Sequence, residues 1–222
     1  MVTYTKTIKA ENWGFCGKMN TGKTFEALEI ARQLQRITNR PILVFDPNKN
    51  SSYTKEFKQI SLSNVAMGKM KPLGRYKLSG MNEYDLFFET VLDYVRNTII
   101  VFDDCTSYMT GNVSSKIRQY IITSKNNEND SLFQFHNFED MGPAILRSLQ
   151  MLVIKEQSIN TVPNKMRNRP KVQILLDEVV AENESRPKNE QWAYRIYDLD
   201  ADIVYVEKDG RLVPISGKEY FK

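Results

Sequence analysis

Apolar residues in this chain fall into short continuous runs that alternate with amphipathic segments. The runs lie near residues 12–16, 42–46, 98–102 and 151–154, and a further strand-type segment at 131–136 combines apolar residues with Ser131, Gln134 and His136. A run that is apolar at successive positions predicts a strand buried on both faces, as in a parallel sheet. Apolar residues at helical spacing occur at 25–35, 81–96 and 114–124. Strands that alternate with helices predict an α/β fold with a mostly parallel central sheet of five or more strands and flanking helices.

The C-terminal part of the chain has a different pattern. Residues 172–183 have helical spacing, and short strand-type runs follow at 195–197, 203–206 and 211–214. The dipeptide Asp209-Gly210 between the last two runs is a strong signal for a tight hairpin.

No long linker interrupts the chain, so we expect a single domain over residues 1–222. Its core should span about 11–155, with a C-terminal β-hairpin appendage at about 160–222. Residues 1–10 alternate weakly between polar and apolar types, which fits either an edge strand or an arm that reaches a neighbouring subunit.

The composition places the chain among intracellular globular proteins. It has 222 residues, 41% of them hydrophobic, and no stretch of about 18 apolar residues that could cross a bilayer. The first residues lack the apolar core of a signal peptide. We therefore expect a soluble protein with no transmembrane segment, located in the cytoplasm or, for a viral protein, in the host cytoplasm or the virion. Cys16 and Cys105 are expected to be reduced core residues, because two cysteines alone cannot form a metal cluster.

The charge is mildly basic, with 31 Lys and Arg against 27 Asp and Glu, which permits a nucleic-acid partner without requiring one. Two segments, 49–77 and 165–171, concentrate the basic residues. In the first, lysines alternate with the aromatic residues Tyr53, Phe57 and Tyr76, a combination that suits phosphate contacts and base stacking. Each segment could equally be a solvated surface, since most charge runs are.

The stretch 17–24 matches the pattern G-x-x-x-x-G-K-[ST] at every fixed position. It consists of Gly17, Lys18, Met19, Asn20, Thr21, Gly22, Lys23 and Thr24. Such a loop can surround the β-phosphate of a nucleotide with backbone N–H groups, while Lys23 reaches the β and γ oxygens and Thr24 offers its hydroxyl to Mg²⁺. A predicted strand precedes the stretch and a predicted helix follows it, which aims a helix N-terminus at the phosphates. The stretch therefore predicts a site for ATP and Mg²⁺.

Two carboxylates follow the apolar run at 98–102. A buried strand next to the P-loop strand presents a first carboxylate, Asp103, to the Mg²⁺ shell and a second, Asp104, as the catalytic base for the attacking water. The alternative is that the pair only caps the following turn. One predicted strand, 42–46, separates the two motif strands along the chain. That arrangement resembles the RecA-like (ASCE) group of P-loop ATPases more than it resembles nucleoside kinases.

The predicted strand at 131–136 ends in polar residues that could sense the γ-phosphate. Either Gln134 or His136 could do so by hydrogen bonding, and His136 is the one histidine in the chain. A lone histidine is also often a structural residue.

Taken together, these motifs resemble the FtsK/HerA superfamily, and within it the small genome-packaging ATPases of viruses and phages. The resemblance rests on residues 17–24, Phe45-Asp46-Pro47, 99–104 and the segment from Phe135-His136 to Arg147, and it covers roughly residues 11–155. It implies an ATP-driven DNA translocase that works as a ring of identical subunits with ATP at the subunit interfaces. It further implies double-stranded DNA as the partner, a pentameric or hexameric ring, and a viral capsid portal or vertex as a docking place.

The resemblance assigns roles to matching positions. The phosphate-binding lysine of the family falls on Lys23, its Mg²⁺-binding hydroxyl on Thr24, and its second-motif aspartate on Asp103. Its catalytic acid falls on Asp104, where most relatives carry the longer glutamate.

Two further roles are less clear from the match. The strand sensor of the family is typically glutamine, and its closest match here is His136, with Gln134 as the alternative. The arginine that relatives supply in trans falls near Lys125, which cannot make a planar bidentate contact. Arg118 and Arg147 are then the rival candidates.

Other interpretations stay open. Lys18 lies five residues before Lys23, as in partition or positioning ATPases, although Met19-Asn20 stand where that group has glycines. A small-molecule kinase would need an arginine-rich lid, for which 164–171 is the candidate segment. A nucleotide switch without turnover would need only the first carboxylate, Asp103.

Overall fold

The computed structural model describes residues 9–53, 55–81, 83–111, 113–208 and 211–222. Within them the backbone forms a sheet of ten strands flanked by helices. The strands are β1 Asn12–Cys16, β2 Ile42–Asp46, β3 Lys58–Gln59, β4 Arg75–Ser79, β5 Ile99–Phe102, β6 Asp130–Phe135, β7 Met151–Lys155, β8 Tyr194–Asp198, β9 Ile203–Lys208 and β10 Arg211–Ser216. The helices are α1 Lys23–Thr38, α2 Leu62–Ala66, α3 Tyr84–Tyr94, α4 Ser115–Thr123, α5 Pro143–Ser148, α6 Arg169–Glu184 and α7 Gly217–Tyr220.

The order of the strands confirms the predicted α/β architecture. Across the sheet it is β10-β9-β8-β7-β1-β6-β5-β2-β4-β3. The pairs from β7 to β3 are parallel, whereas β8, β9 and β10 run antiparallel to their neighbours. Contrary to the sequence-based expectation, β5 is not directly next to the P-loop strand β1, because β6 is inserted between them. The carboxyl ends of β1, β6, β5 and β2 meet at one edge, where α/β sheets bind their ligands.

The C-terminal strands continue the central sheet. β8 pairs with β7, and β9 and β10 form the predicted hairpin, in which Arg211 lies opposite Lys208. The turn dipeptide Asp209-Gly210 lies outside the described residues, as do residues 1–8 of the predicted N-terminal strand or arm.

The segment 49–77 contains more regular structure than its polar sequence predicts. It holds β3, α2 and β4, and β4 pairs in parallel with β2, so that Tyr76 lies opposite Leu43. β4 is hard to recognise in the sequence because it carries Arg75 and Lys77 and buries only Leu78.

Apolar layers pack on both faces of the sheet and fix the positions of the strand ends. On one face the rings of β2, β5, β6 and α3 stack, with the centroids of Phe45 and Phe87 4.0 Å apart and those of Phe102 and Phe133 4.9 Å apart. The apolar side of α1 covers the other face. A fully buried phenylalanine such as Phe102 typically contributes about 3–5 kcal/mol relative to alanine.

Cys16 and Cys105 are both buried and free, as expected for reduced core residues. Among the described residues, none of the helices combines the length and the apolar character that crossing a bilayer requires.

Candidate nucleotide site

The P-loop connects β1 to α1 in a tight turn. Gly22 precedes α1 with a φ of 77°, in the left-handed region that favours glycine. Gly17 is required for a different reason, because a Cβ there would lie 2.7 Å from the Cβ of Lys155. The Thr21 hydroxyl donates to the carbonyl oxygen of Lys18 at 2.8 Å and closes the turn. The loop thus leads directly into a helix N-terminus, the geometry that favours a bound phosphate.

The Lys23 side chain folds back into this loop. Its Nζ donates to the carbonyl oxygens of Gly17 and Lys18, the second at 2.9 Å. Burial lowers the pKa of Lys23, while the nearby Asp104 and Asp103 carboxylates act in the opposite direction. The cation therefore lies within the loop that would hold the phosphates.

Asp103 follows β5 and is only 5% exposed. Its Oδ1 accepts a hydrogen bond from the Tyr53 hydroxyl at 2.8 Å, and its Oδ2 accepts one from Asn50 Nδ2 at 3.3 Å. Burial raises the pKa of Asp103, and the hydrogen bonds from Tyr53 and Asn50 oppose that rise. A carboxylate that is desolvated and held in one orientation is suited to binding a cation.

Asp104 is the next residue, but it has different partners. Its backbone lies in the left-handed region, with φ 46° and ψ 53°, which is uncommon for a residue other than glycine. Its Oδ2 accepts a hydrogen bond from Asn48 Nδ2 at 2.7 Å, and its Oδ1 lies 3.1 Å from His136 Nε2. The Asp104 side chain is 29% exposed. It is therefore more open to water than Asp103, as a general base must be.

The two candidate sensors lie in different parts of the site. Gln134, on β6, accepts a hydrogen bond from the Thr24 hydroxyl at 3.2 Å and donates one to the Tyr53 hydroxyl oxygen at 3.4 Å. His136, just beyond β6, contacts Asp104 instead. The structure brings both residues to the site, and the choice between them as phosphate sensor stays a prediction.

Three residues of the loop after β2 contact the carboxylate pair, and none of them was predicted to do so: Asn48, Asn50 and Tyr53. Both interpretations of the segment 49–77, a base-stacking surface and a solvated surface, placed Tyr53 and Phe57 at the surface, but both rings are buried in the core, so these two residues were placed wrongly. The signal that could have found this loop is topological. Because β2 lies beside β5, the residues that follow the two strands meet at the same edge.

The residues at the carboxyl end of β7 contact the P-loop and the first turn of α1. The backbone N–H of Lys18 donates to the carbonyl oxygen of Glu156 at 2.8 Å, and the two side chains form an ion pair. Lys155 pairs with Glu26, in the first turn of α1, at 3.5 Å. Burial lowers the pKa of Lys155 and raises the pKa of Glu26, and each partner opposes the shift of the other.

The oxygen donors at this site fit Mg²⁺. Thr24 supplies a hydroxyl and Asp103 a carboxylate, both of the hard type that Mg²⁺ prefers. The part of the chain that the structure describes contains no group of three or more His, Cys, Asp and Glu side chains that could hold a metal ion.

Arg118 and Arg147 are not brought to the P-loop. Both line a cavity of about 620 Å³ between α4 and α5, together with Lys125 and Lys165. No carboxylate lines this cavity, and none of the four cations has an ion pair or a side-chain hydrogen bond among the described residues.

The two basic segments differ in how their cations are used. In 165–171, Arg167 and Lys171 form ion pairs with aspartates that lie between β8 and β9. In 49–77, three exposed lysines line a cavity of about 420 Å³: Lys58, Lys69 and Lys71. The segment 49–77 therefore offers the more open cationic surface.

Several solved structures share this fold. The chain is similar to the genome packaging NTPase B204 from Sulfolobus turreted icosahedral virus 2 in complex with ATP-gammaS, with a TM-score of 0.65 and 14% identity, covering 90% of this chain and 97% of that one. It is also similar to B204, the DNA-packaging ATPase from Sulfolobus turreted icosahedral virus, with a TM-score of 0.59 and 11% identity over 91% and 98% of the two chains. The pCW3 conjugation coupling protein TcpA matches with a TM-score of 0.52 and 9% identity, over 94% of this chain and 60% of that one.

No known family profile matches the sequence, and no curated protein matches it. The comparisons therefore bear on the fold. The chain shares the α/β fold of these NTPase structures, in agreement with the fold that its motifs predicted.

Proposed function

We propose that this chain hydrolyses ATP to translocate DNA, as the subunit of a homo-oligomeric genome-packaging motor. The observation that carries the proposal is the convergence of Lys23 and Thr24 with Asp103 and Asp104 at one edge of the sheet, where Gln134 and Tyr53 connect Thr24 to Asp103. Binding alone needs a phosphate loop and one carboxylate, whereas hydrolysis also needs a group that orients or deprotonates water. Asp104 is such a group.

Each side chain has a role that its surroundings support. The loop 17–22 and Lys23 bind and orient the phosphates. Thr24 and Asp103 would hold Mg²⁺, which neutralises charge on the β and γ oxygens when bound. Asp104 accepts the proton of the attacking water on a carboxylate oxygen, while Asn48 and His136 fix its orientation.

The translocation part of the proposal rests on the family resemblance and on neighbours described as packaging proteins. The exposed lysines of 49–77 supply a surface for the phosphodiester backbone of double-stranded DNA. Arg118 and Arg147 are available to complete the site of a neighbouring copy in a pentameric or hexameric ring. A viral capsid portal or vertex is the expected docking place of such a ring.

Steady-state ATP hydrolysis tests the proposal, measured across protein concentration with and without double-stranded DNA. Turnover per subunit should rise with concentration or with DNA. Asp104→Asn should lower it by at least about a hundredfold while leaving ATP binding intact, since a general base contributes about 10²–10⁴-fold. Asp93→Asn, at an exposed position of α3, is the matched control and should behave as the wild type. If turnover is independent of protein concentration and of DNA, and Asp104→Asn leaves it unchanged, the proposed role as a packaging motor is excluded.

A further inference from the structure

A chain of hydrogen bonds runs through the site and includes a residue that the proposed reaction does not use. The Thr24 hydroxyl donates to Gln134 Oε1, and Gln134 Nε2 donates to the Tyr53 hydroxyl oxygen. Tyr53 in turn donates to Asp103 Oδ1 at 2.8 Å. Every donor in this chain therefore points from Thr24 toward Asp103.

The two ends of the chain are the two side chains assigned to Mg²⁺. Thr24 lies in the first turn of α1 and Asp103 follows β5, and the strands that lead to them, β1 and β5, are separated by β6. Because β1 and β5 do not pair with each other, no backbone hydrogen bonds between them fix the distance from Thr24 to Asp103. Gln134 reaches from β6 to Thr24, and Tyr53 completes the connection to Asp103.

Tyr53 is also the stronger of the two donors on Asp103. Its hydrogen bond is 2.8 Å long, whereas that of Asn50 is 3.3 Å. The Tyr53 ring is fully buried and packs edge-on against Phe57, with centroids 5.9 Å apart. Since that packing holds the ring, the hydroxyl is presented to Asp103 at a fixed position.

We propose that Tyr53 is a positioning residue, which fixes Asp103 for Mg²⁺ and links that carboxylate through Gln134 to Thr24 of the P-loop. The inference rests on the proposed ATP- and Mg²⁺-dependent function. Partners that orient a metal ligand typically change metal affinity by about 10–100-fold when they are removed.

Tyr53→Phe tests the inference, because it removes the hydroxyl and keeps the ring. The measurement is the binding of a fluorescent, non-hydrolysable ATP analogue at increasing Mg²⁺ concentration. The Mg²⁺ concentration for half-maximal effect should rise about tenfold in Tyr53→Phe, while binding without Mg²⁺ stays at the wild-type level. Tyr120→Phe is the matched control and should leave the Mg²⁺ dependence unchanged. It also removes a buried tyrosine hydroxyl, one that is hydrogen-bonded to Ser131 Oγ at 2.7 Å.

A double variant separates positioning from a general structural effect. If Tyr53 acts through Asp103, Tyr53→Phe should cause no further loss of Mg²⁺ dependence once Asp103→Ala is present. A further loss there, an unchanged Mg²⁺ dependence in Tyr53→Phe, or an equal change in Tyr120→Phe would overturn the inference and leave the proposed function standing. A wild-type chain that binds no ATP analogue, or binds it without regard to Mg²⁺, would overturn both.

Discussion

At the level of single residues, the buried carboxyl of Asp103 should lower the stability of the fold near neutral pH. Burial raises the pKa of its carboxyl, against the hydrogen bonds from Tyr53 and Asn50. A carboxyl with a higher pKa in the folded state binds protons more tightly when folded, so stability falls as the pH rises from the ordinary carboxyl range through the raised pKa. The neutral variant Asp103→Asn should therefore be more stable than the wild type near pH 7, and the difference should vanish in acid, where both states are protonated.

Thermal unfolding in the presence of a chelator, across a pH series, measures this effect. A gain on the order of 1 kcal/mol would raise the midpoint by about 2–4 °C in a chain of this size. Asp93→Asn serves again as the exposed control. If Asp103→Asn is the less stable protein near neutral pH, burial is not the dominant influence on this carboxyl.

Steady-state kinetics can decide the role of His136. If it holds Asp104 in place, His136→Ala should lower kcat by roughly tenfold with little change in KM, because a small misplacement of a catalytic group is costly. His136→Gln keeps a hydrogen-bond donor and should recover much of the loss. A rise in KM at constant kcat would instead assign His136 to the bound nucleotide, as a phosphate sensor.

At the level of elements, a buried ion pair joins the end of β7 to the first turn of α1. Lys155 and Glu26 lie 3.5 Å apart, with side chains 1% and 18% exposed. Glu26→Gln leaves the ammonium buried without this partner and should destabilise the fold by about 2–3 kcal/mol, whereas Glu26→Leu combined with Lys155→Met should cost much less. Denaturant unfolding of the single and double variants gives the coupling energy. Additive losses would show that the pair is not coupled.

An exposed ion pair provides the control for that cycle. Lys116 and Glu89 lie 2.8 Å apart between α4 and α3, with both side chains more than a third exposed. Because water screens such a pair, Glu89→Gln should change stability little.

Elements buried on both faces could be predicted from the sequence, and the others could not. β1, β2, β5, β6 and β7 are buried at every position and are mostly apolar, because neighbours cover both of their faces. β4 has basic side chains that reach partly exposed surroundings, and β3 is only two residues long. The run of lysines around them therefore conceals their pairing with the sheet.

The candidate site likewise contains residues that the sequence predicts and residues that it does not. The P-loop and Asp103-Asp104 could be found because their chemistry depends on residue type and spacing within one short stretch. The roles of Asn48 and Tyr53 depend on which strand lies beside β5, and that neighbour is far away in sequence. The lysines around Tyr53 in the sequence indicated a surface position, whereas tertiary packing places its ring in the core.

At the level of the whole molecule, the question is how the cations between α4 and α5 are used. Arg118 and Arg147 line the same cavity, and no P-loop residue lines it. In a ring of identical copies each interface is heterologous, so this face of one subunit can meet the nucleotide site of the next. Subunits that lack the arginine and subunits that lack Asp104 should then be inactive alone and active when mixed.

Mixing experiments can test both candidate arginines. With equal amounts of Asp104→Asn and Arg147→Ala subunits, about a quarter of randomly formed interfaces combine an intact Asp104 with an intact arginine, so about a quarter of wild-type turnover should return. The same mixture with Arg118→Ala tests the rival.

A mixture of Asp104→Asn and Lys23→Ala subunits is the control. It should not recover more than background turnover, because Lys23 and Asp104 act in the same subunit's site and no site in the mixture then contains both. The arginine whose variant complements Asp104→Asn is the one supplied in trans. Recovery in the Lys23→Ala mixture would mean that Lys23 and Asp104 do not act within one chain's site. No recovery in either arginine mixture would mean that neither Arg118 nor Arg147 is supplied in trans.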